Sequence, residues 1–295
     1  MNSILNTIGK TPLLNIEGVY VKLETTNPTG SIKDRMAWYI IQKAEERGEL
    51  KKGDKILEAT SGNTGISLAM ISAIRGYRFT AIMPESMSIE RRKMIKIFGG
   101  EIILTPAKED VSGAIKKYKE LIRNNHEFWL PKQFTNPDNI SAHREGLGQE
   151  IIMQASKIDA FVAGVGTGGT LIGTAQALKK VNPNIQIVAV EPYESSVLSG
   201  KKPGLHKIQG IGEGFIPQII TKNQKLIDQI VSIKSEDAIK MSKKLAGTYG
   251  ILVGTSSGAN FLAAKILQKQ YKKIVTVFPD RGERYLSTKK QYFKI

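Results

Sequence analysis

Short apolar runs of four or five residues recur along the chain, at 19–23, 55–59, 79–83, 101–104, 160–164, 187–190 and 274–278. Between them lie longer stretches in which apolar residues return every three or four positions, for example 65–73 and 89–98. The first pattern predicts strands and the second amphipathic helices. Strands alternating with helices of about ten residues or more predict parallel βαβ units, hence an α/β fold with doubly wound parallel sheets. Two segments break the rhythm. Residues 127–150 are polar and turn-rich and read as a crossover between two α/β lobes, while 192–217 carry several glycines and read as a cover over a cleft. No internal repeat or low-complexity tail is evident.

The stretch Asn27-Pro28-Thr29-Gly30-Ser31-Ile32-Lys33-Asp34-Arg35 follows the first apolar run. Asn-Pro-Thr-Gly is turn chemistry, Ser31 stands at a helix N-cap position, and the apolar residues from Met36 supply a helical body. Lys33 then falls in the first turn, where the helix dipole disfavours a cation. Such an amine would have a lowered pKa and could react with a carbonyl, although an ordinary solvated lysine fits these residues as well.

Composition narrows the choices. At 295 residues the chain can bury one large or two medium cores. It lacks an apolar run of about 18 residues, so no membrane span is expected. Its first residues lack the basic start and apolar core of a signal peptide, which predicts a cytoplasmic protein. Cysteine is absent, excluding disulfides, thiolate metal sites and a cysteine nucleophile. The three histidines, His126, His143 and His206, lack metal-ligand spacing. A net charge of +16 raises the question of nucleic acid, but the lysines stand beside glutamates on helical faces without interleaved aromatics. No nucleic-acid partner is expected.

Three glycine-containing turns carry candidate chemistry, each predicted to leave a strand and open a helix. In Thr60-Ser61-Gly62-Asn63-Thr64-Gly65, helix-start N–H groups and three hydroxyls could seat a carboxylate, or form an ordinary capped turn. In Gly164-Val165-Gly166-Thr167-Gly168-Gly169-Thr170, four glycines in six residues let the backbone wrap a phosphate. No Walker lysine follows, and the dinucleotide fingerprint fits poorly, although Glu191 lies about 20 residues on and keeps a nucleotide reading open. The third, Gly254-Thr255-Ser256-Ser257-Gly258, offers hydroxyls to a ring nitrogen or an anion, or merely caps a helix. A reactive lysine, a phosphate cup, a carboxylate seat and a serine-bearing turn together describe a site for pyridoxal phosphate and an amino acid.

With these motifs the chain resembles the cysteine synthase (O-acetylserine sulfhydrylase) and cystathionine β-synthase family of fold-type II pyridoxal phosphate enzymes. The likeness runs from Ile8-Gly9-Lys10-Thr11-Pro12-Leu13 to Asp280-Arg281-Gly282-Glu283-Arg284-Tyr285-Leu286-Ser287-Thr288. It implies two α/β lobes with the cofactor in the cleft between them, a smaller mobile lobe at 36–139 and a larger one at 1–35 and 140–295. It implies that Lys33 carries the cofactor and later acts as base, and that Asn63 meets the cofactor's 3′ oxygen. Gly166, Thr167, Gly168, Gly169 and Thr170 would hold the phosphate, and Ser256 would face the pyridine nitrogen. Thr60, Ser61, Thr64 and Gln133, with Gly210, would contact the substrate. The implied reaction is β-replacement on an amino acid by sulfide or a thiol, in a homodimer. O-acetylserine with sulfide is the first expectation; cysteine or serine as donor, giving hydrogen sulfide, lanthionine or cystathionine, is the alternative.

The sequence departs from the family pattern in two places. After Gln133 the usual Asn-Pro-x-Asn-Pro-x-x-His and Thr-Thr-Gly-Pro-Glu-Ile become Asn136-Pro137-Asp138-Asn139-Ile140-Ser141-Ala142-His143 and Gly146-Leu147-Gly148-Gln149-Glu150-Ile151. In Gly210-Ile211-Gly212-Glu213-Gly214-Phe215, Glu213 replaces the alanine of cysteine synthases. It is a solvated loop residue, or it binds an incoming amino group or serves as a base.

Overall fold

The computed structural model describes residues 3–60, 62–125 and 127–287. Two sheets organise the chain. The smaller has four parallel strands in the order β5-β4-β3-β6, with β3 at Lys55–Ala59, β4 at Arg78–Pro84, β5 at Glu101–Thr105 and β6 at Phe128–Trp129. The larger has six strands in the order β1-β2-β10-β7-β8-β9. These are Leu13–Ile16, Val19–Leu23, Ile274–Phe278, Ala160–Gly164, Gln186–Pro192 and Gln229–Ile233 respectively. All pairings in it are parallel except β1 with β2, whose two-residue turn has Glu17 at φ 47° and Gly18 at φ 83°. Positive φ at both central residues is what a tight hairpin between right-twisted strands requires.

The helices are α1 (Lys33–Glu46), α2 (Asn63–Arg75), α3 (Ile89–Ile97), α4 (Asp110–Asn124), α5 (Pro137–Ala142), α6 (Gly148–Gln154), α7 (Gly169–Val181), α8 (Gln218–Thr221), α9 (Ser235–Tyr249) and α10 (Thr255–Leu267). Both faces of the larger sheet are covered, which is why its central strands read as continuous apolar runs. Val188 and Val190 point into a core with Leu245 and Phe261. Their neighbours Ile187 and Ala189 point the other way, into a core with Ile151, Leu171 and Ile172. On the smaller sheet Ile56, Phe79 and Ala81 pack with Ile41, Ile66 and Leu68 on one side, while Leu57 and Ile82 meet Ala114 on the other.

A buried ionic cluster fixes the base of α1. Arg35 donates from Nε to Glu24 at 2.6 Å and from Nη1 to Glu150 at 2.6 Å. Lys22, fully buried in β2, donates to Glu150 at 2.8 Å, to Gln154 and to the Thr11 carbonyl. Burial alone would raise the Glu150 carboxyl, but the charges and hydrogen bonds of Arg35 and Lys22 override it and hold it down at about 2. Lys33, two residues before Arg35, is thereby anchored to both β2 and α6.

Two expectations need correction. Residues 127–150 are not an irregular crossover: beyond β6 they form α5, a π-helical turn at His143–Leu147 and the start of α6. The segment reads as polar because polar side chains cap its turns and tie it to the glycine turn after β7, and its packing uses glycine. Asn136 caps α5 by accepting from Asp138 N–H at 2.9 Å, and Gly173 on α7 admits the Ile140 carbonyl, which would lie 2.2 Å from an added Cβ. The third glycine turn does not follow a strand; it follows α9, which ends on left-handed Gly250, and Val253 makes one isolated bridge to Arg281. Strands β1, β6 and β9 were not evident as apolar runs.

Candidate active site

The helix predicted behind the Asn-Pro-Thr-Gly turn begins at Lys33, and the Ser31 hydroxyl accepts the Lys33 N–H at 3.2 Å. Lys33 lies where two hollows between the sheets join. The inner one is narrow and is lined by Lys33, Asn63, Gly166, Thr170, Ser256 and Asp280 among others. The outer one is an open cleft whose walls include Thr60, Thr64, Gln133, Gly210 and Glu213. Burial pushes the Lys33 amine below the usual lysine value, while the Glu213 and Asp280 carboxylates pull against that shift.

The inner hollow is built from helix starts. The glycine turn after β7 enters α7 through Gly168 at φ 90°, so its N–H groups stand at the positive end of a 13-residue helix. Gly166 has no room for a side chain, since a Cβ there would lie 2.5 Å from the Gly210 carbonyl oxygen. The Thr170 hydroxyl is 3.3 Å from His143 Nε2. That imidazole is held well below its usual value, chiefly by burial and then by the charges of Lys33 and Arg35, so it is neutral. Ser256 is buried in the first turn of α10 and faces the same hollow.

Asn63 opens α2. Its amide nitrogen donates to Asp280 Oδ2 at 2.6 Å and its carbonyl accepts from Arg284. Asp280 Oδ2 also takes the Tyr285 hydroxyl, whereas Oδ1 is buried without a partner among the described residues. Thr60 spends its hydroxyl on its own turn, accepting from the Gly62 and Gly65 N–H groups at 3.3 and 3.2 Å. The Thr64 hydroxyl donates to Gln133 Oε1 at 2.8 Å. Ser61 lies outside the described residues, as does His126. The chain thus gathers Lys33, Asn63, Thr64, Gln133, Gly166, Thr167, Gly168, Thr170, Gly210, Glu213 and Ser256 around the two joined hollows, whereas Gly169 lines neither and packs against the Asn139 amide.

Glu191 is elsewhere occupied: its carboxylate accepts from Leu198 N–H at 2.8 Å and from the Ser199 and Ser232 hydroxyls. It does not line the hollow at the glycine turn. Sequence reasoning missed His143, Asn139, Asp280 and Arg284. No spacing marks them, because Asp280 and Arg284 meet Asn63 from the opposite end of the chain.

The residues present fit pyridoxal phosphate. The glycine turn at the start of α7 offers helix-start N–H groups and the Thr167 and Thr170 hydroxyls to a phosphate, and a desolvated amine suits a carbonyl. A neutral hydroxyl and an unpartnered carboxylate oxygen supply polar edges to a ring.

Comparison with known proteins agrees with that fit. The family described as pyridoxal-phosphate dependent enzyme matches residues 4–280. A cysteine synthase of Staphylococcus aureus is 49% identical over 301 aligned positions, covering 98% of this chain and 96% of that protein. Among solved structures, an O-acetylserine dependent cystathionine β-synthase from Helicobacter pylori superposes with a TM-score of 0.93 at 39% identity, covering 99% of both chains. A hydrogen sulfide-producing enzyme from Fusobacterium nucleatum superposes with a TM-score of 0.90 at 46% identity, covering 98% of this chain and 92% of its own.

Proposed function

We propose that this chain, which belongs to the family of pyridoxal-phosphate dependent enzymes, is a cysteine synthase converting O-acetyl-L-serine and sulfide to L-cysteine and acetate. The observation that carries this reading is the convergence of a desolvated lysine amine, a glycine-rich helix start with two threonines and a neutral serine hydroxyl on one hollow.

Bound there, pyridoxal phosphate supplies an electron sink that lets a proton leave the substrate α-carbon and a substituent leave the β-carbon. The chain's residues do the rest. Gly166 to Thr170, at the start of α7, hold the phosphate, and Lys33 is the covalent anchor. Ser256 meets the ring nitrogen as a neutral partner, which suits β-elimination better than an aspartate would. Asn63, held by Asp280 and Arg284, would hydrogen-bond the cofactor's ring oxygen. The N-terminus of α2 with Ser61, Thr64 and Gln133 orients the substrate carboxylate. Lys33 Nζ, whose hold on a proton is weakened by desolvation, takes the α-proton and returns it after hydrosulfide has added at the β-carbon. Acetate departs through the open cleft.

A second reading rests on Glu213. Its carboxylate lines the open cleft and is near enough to Lys33 to pull on its amine. It can receive the ammonium group of an amino-acid thiol or act as a base toward the incoming nucleophile, which favours cysteine or homocysteine over sulfide. Turnover of O-acetyl-L-serine with sulfide, compared with sulfide release from cysteine alone, separates the two. Faster sulfide release would overturn the first reading, and a Glu213→Ala variant with unchanged preference would remove the second. The family resemblance further supports a cytoplasmic homodimer whose segment 36–139 closes over the substrate; a solution mass equal to one chain would refute the dimer.

A further inference from the structure

Glu58, the fourth of the five residues of β3, is a buried carboxyl that takes no part in the chemistry above. It accepts the backbone N–H of Gln133 at 3.3 Å, with those of Lys132 and Ala59 also directed at it. Lys132 is one of four non-glycine residues with positive φ among the described residues, at φ 53°. A left-handed non-glycine residue is strained and persists where its surroundings over-determine it. Here the surroundings are visible. The Lys132 carbonyl accepts from Thr135 and Asn136 N–H, both at 2.9 Å, while its own N–H and the next turn inward toward Glu58. Successive N–H groups in this conformation form a concave nest for an acceptor.

The turn delivers Gln133 to the cleft. Its Oε1 accepts from Thr64, and one N–H of its amide reaches the Ala59 carbonyl at 3.3 Å, leaving the second N–H for a ligand. Its backbone carbonyl accepts from Asn139, whose amide also reaches Thr167 in the glycine turn at 3.0 Å. We propose that Glu58 is a positioning residue, whose carboxyl holds the left-handed turn at Lys132 and so aims the Gln133 amide at the carboxylate of the amino-acid substrate. This deepens the cysteine synthase reading and rests on it.

Burial pushes Glu58 up to about 8, against three backbone N–H groups that oppose the shift. No charged side chain contributes. Tyr118 of α4 is the titratable group facing it, β4 sets Ala81 beside it in register, and the Lys132 side chain is exposed. At neutral pH the carboxyl is largely protonated, so a glutamine amide reproduces its acceptor oxygen.

The test compares holoenzyme variants by KM and kcat for O-acetyl-L-serine and by the change in visible absorption when that amino acid is added. Glu58→Ala should raise KM by roughly tenfold with kcat within about threefold and an unaltered cofactor band, while Glu58→Gln retains most of the affinity. Adding Lys132→Gly to Glu58→Ala should recover affinity, because glycine adopts positive φ without help. Lys132→Val, on the surface, should raise KM with Glu58 intact, and it serves if Glu58→Ala does not fold. Unchanged KM in Lys132→Val, or a Glu58→Gln variant as impaired as Glu58→Ala, overturns the proposal. Should the unmodified holoenzyme show no spectral response to O-acetyl-L-serine, the functional reading itself fails.

Discussion

Replacing Gly166 by alanine tests the glycine cradle directly. The added Cβ would stand 2.5 Å from the Gly210 carbonyl oxygen and 3.5 Å from the Gly210 carbonyl carbon. An unstrained C···O approach is about 3.3 Å or more, so the two backbones must separate by roughly 0.8 Å. They cannot do so freely, because Gly212 N–H donates to the Val165 carbonyl at 3.0 Å and Val165 N–H to Val190 at 3.0 Å. Overpacking of this kind costs about 1–3 kcal/mol. The displaced atoms are those that line the inner hollow, so the cost appears in cofactor affinity as a loss of roughly 5–150-fold. Titration of the apoprotein with pyridoxal phosphate, followed by visible absorption, measures it. Gly247→Ala in α9 is the control: its Cβ would meet nothing within 4 Å, so the same chemical change should stabilise the helix by about 0.5–1 kcal/mol and leave affinity alone. A Gly166→Ala protein that binds the cofactor as tightly as the parent would refute the cradle.

Lys33→Ala should abolish the cofactor's visible band and lower turnover by at least roughly 10²–10⁴-fold, the contribution of a positioned base. Its apoprotein should melt no lower than the parent, since an amine that burial disfavours has been removed, and a thermal scan by circular dichroism checks this. Glu58, raised from 4.5 to about 8, holds its proton in the folded chain and loses it in the unfolded chain across that interval. Stability therefore falls with rising pH between about 4.5 and 8, with a slope of up to ~1.4 kcal/mol per unit, and urea unfolding of Glu58→Gln should show that slope flattened. Glu150 acts in the opposite sense. Held at about 2, it stabilises the fold above about pH 4.5 and loses that contribution as pH falls toward 2. Glu150→Gln should cost about 3–5 kcal/mol near neutrality by leaving Lys22 and Arg35 undercompensated, and should blunt acid unfolding over that range.

What was legible in the sequence is what local physics dictates. The apolar runs at 160–164 and 274–278 coincide with β7 and β10 because both faces of each strand are buried, and the run at 55–59 marks β3 even though the buried Glu58 interrupts it. Strand β9 escaped because it is an edge strand with Ile230 exposed, so its pattern carries less contrast. The helix at Lys33 was readable from its turn and Ser31. The reason for the lowered amine was not: the dipole argument is local, whereas burial arises from the opposing walls that carry Glu213 and Asp280. Glu191 shows the converse, since the distance from the glycine turn that kept a nucleotide reading open said nothing of the three groups that occupy its carboxylate.

The distribution of charge about Lys33 bears on the choice between sulfide and an amino-acid nucleophile. Helices α1, α2, α7 and α10 all begin at the cleft, and each N-terminus favours negative charge. A phosphate and a substrate carboxylate satisfy two of those ends, and a departing acetate or an arriving hydrosulfide is drawn by the same field. Glu213 runs against that pattern, for a half-buried carboxylate beside Lys33 repels an incoming anion and attracts an ammonium group. Were hydrosulfide the sole nucleophile, Glu213→Ala should increase the rate of its addition, because the repulsion disappears. Were an amino-acid thiol the nucleophile, the same variant should lose affinity for it while its rate with sulfide rises. The sulfide rate rises in either case, so the second-order rate constant for the amino-acid thiol decides: a fall in Glu213→Ala identifies the thiol as the nucleophile the cleft is shaped to receive, and an unchanged value identifies hydrosulfide.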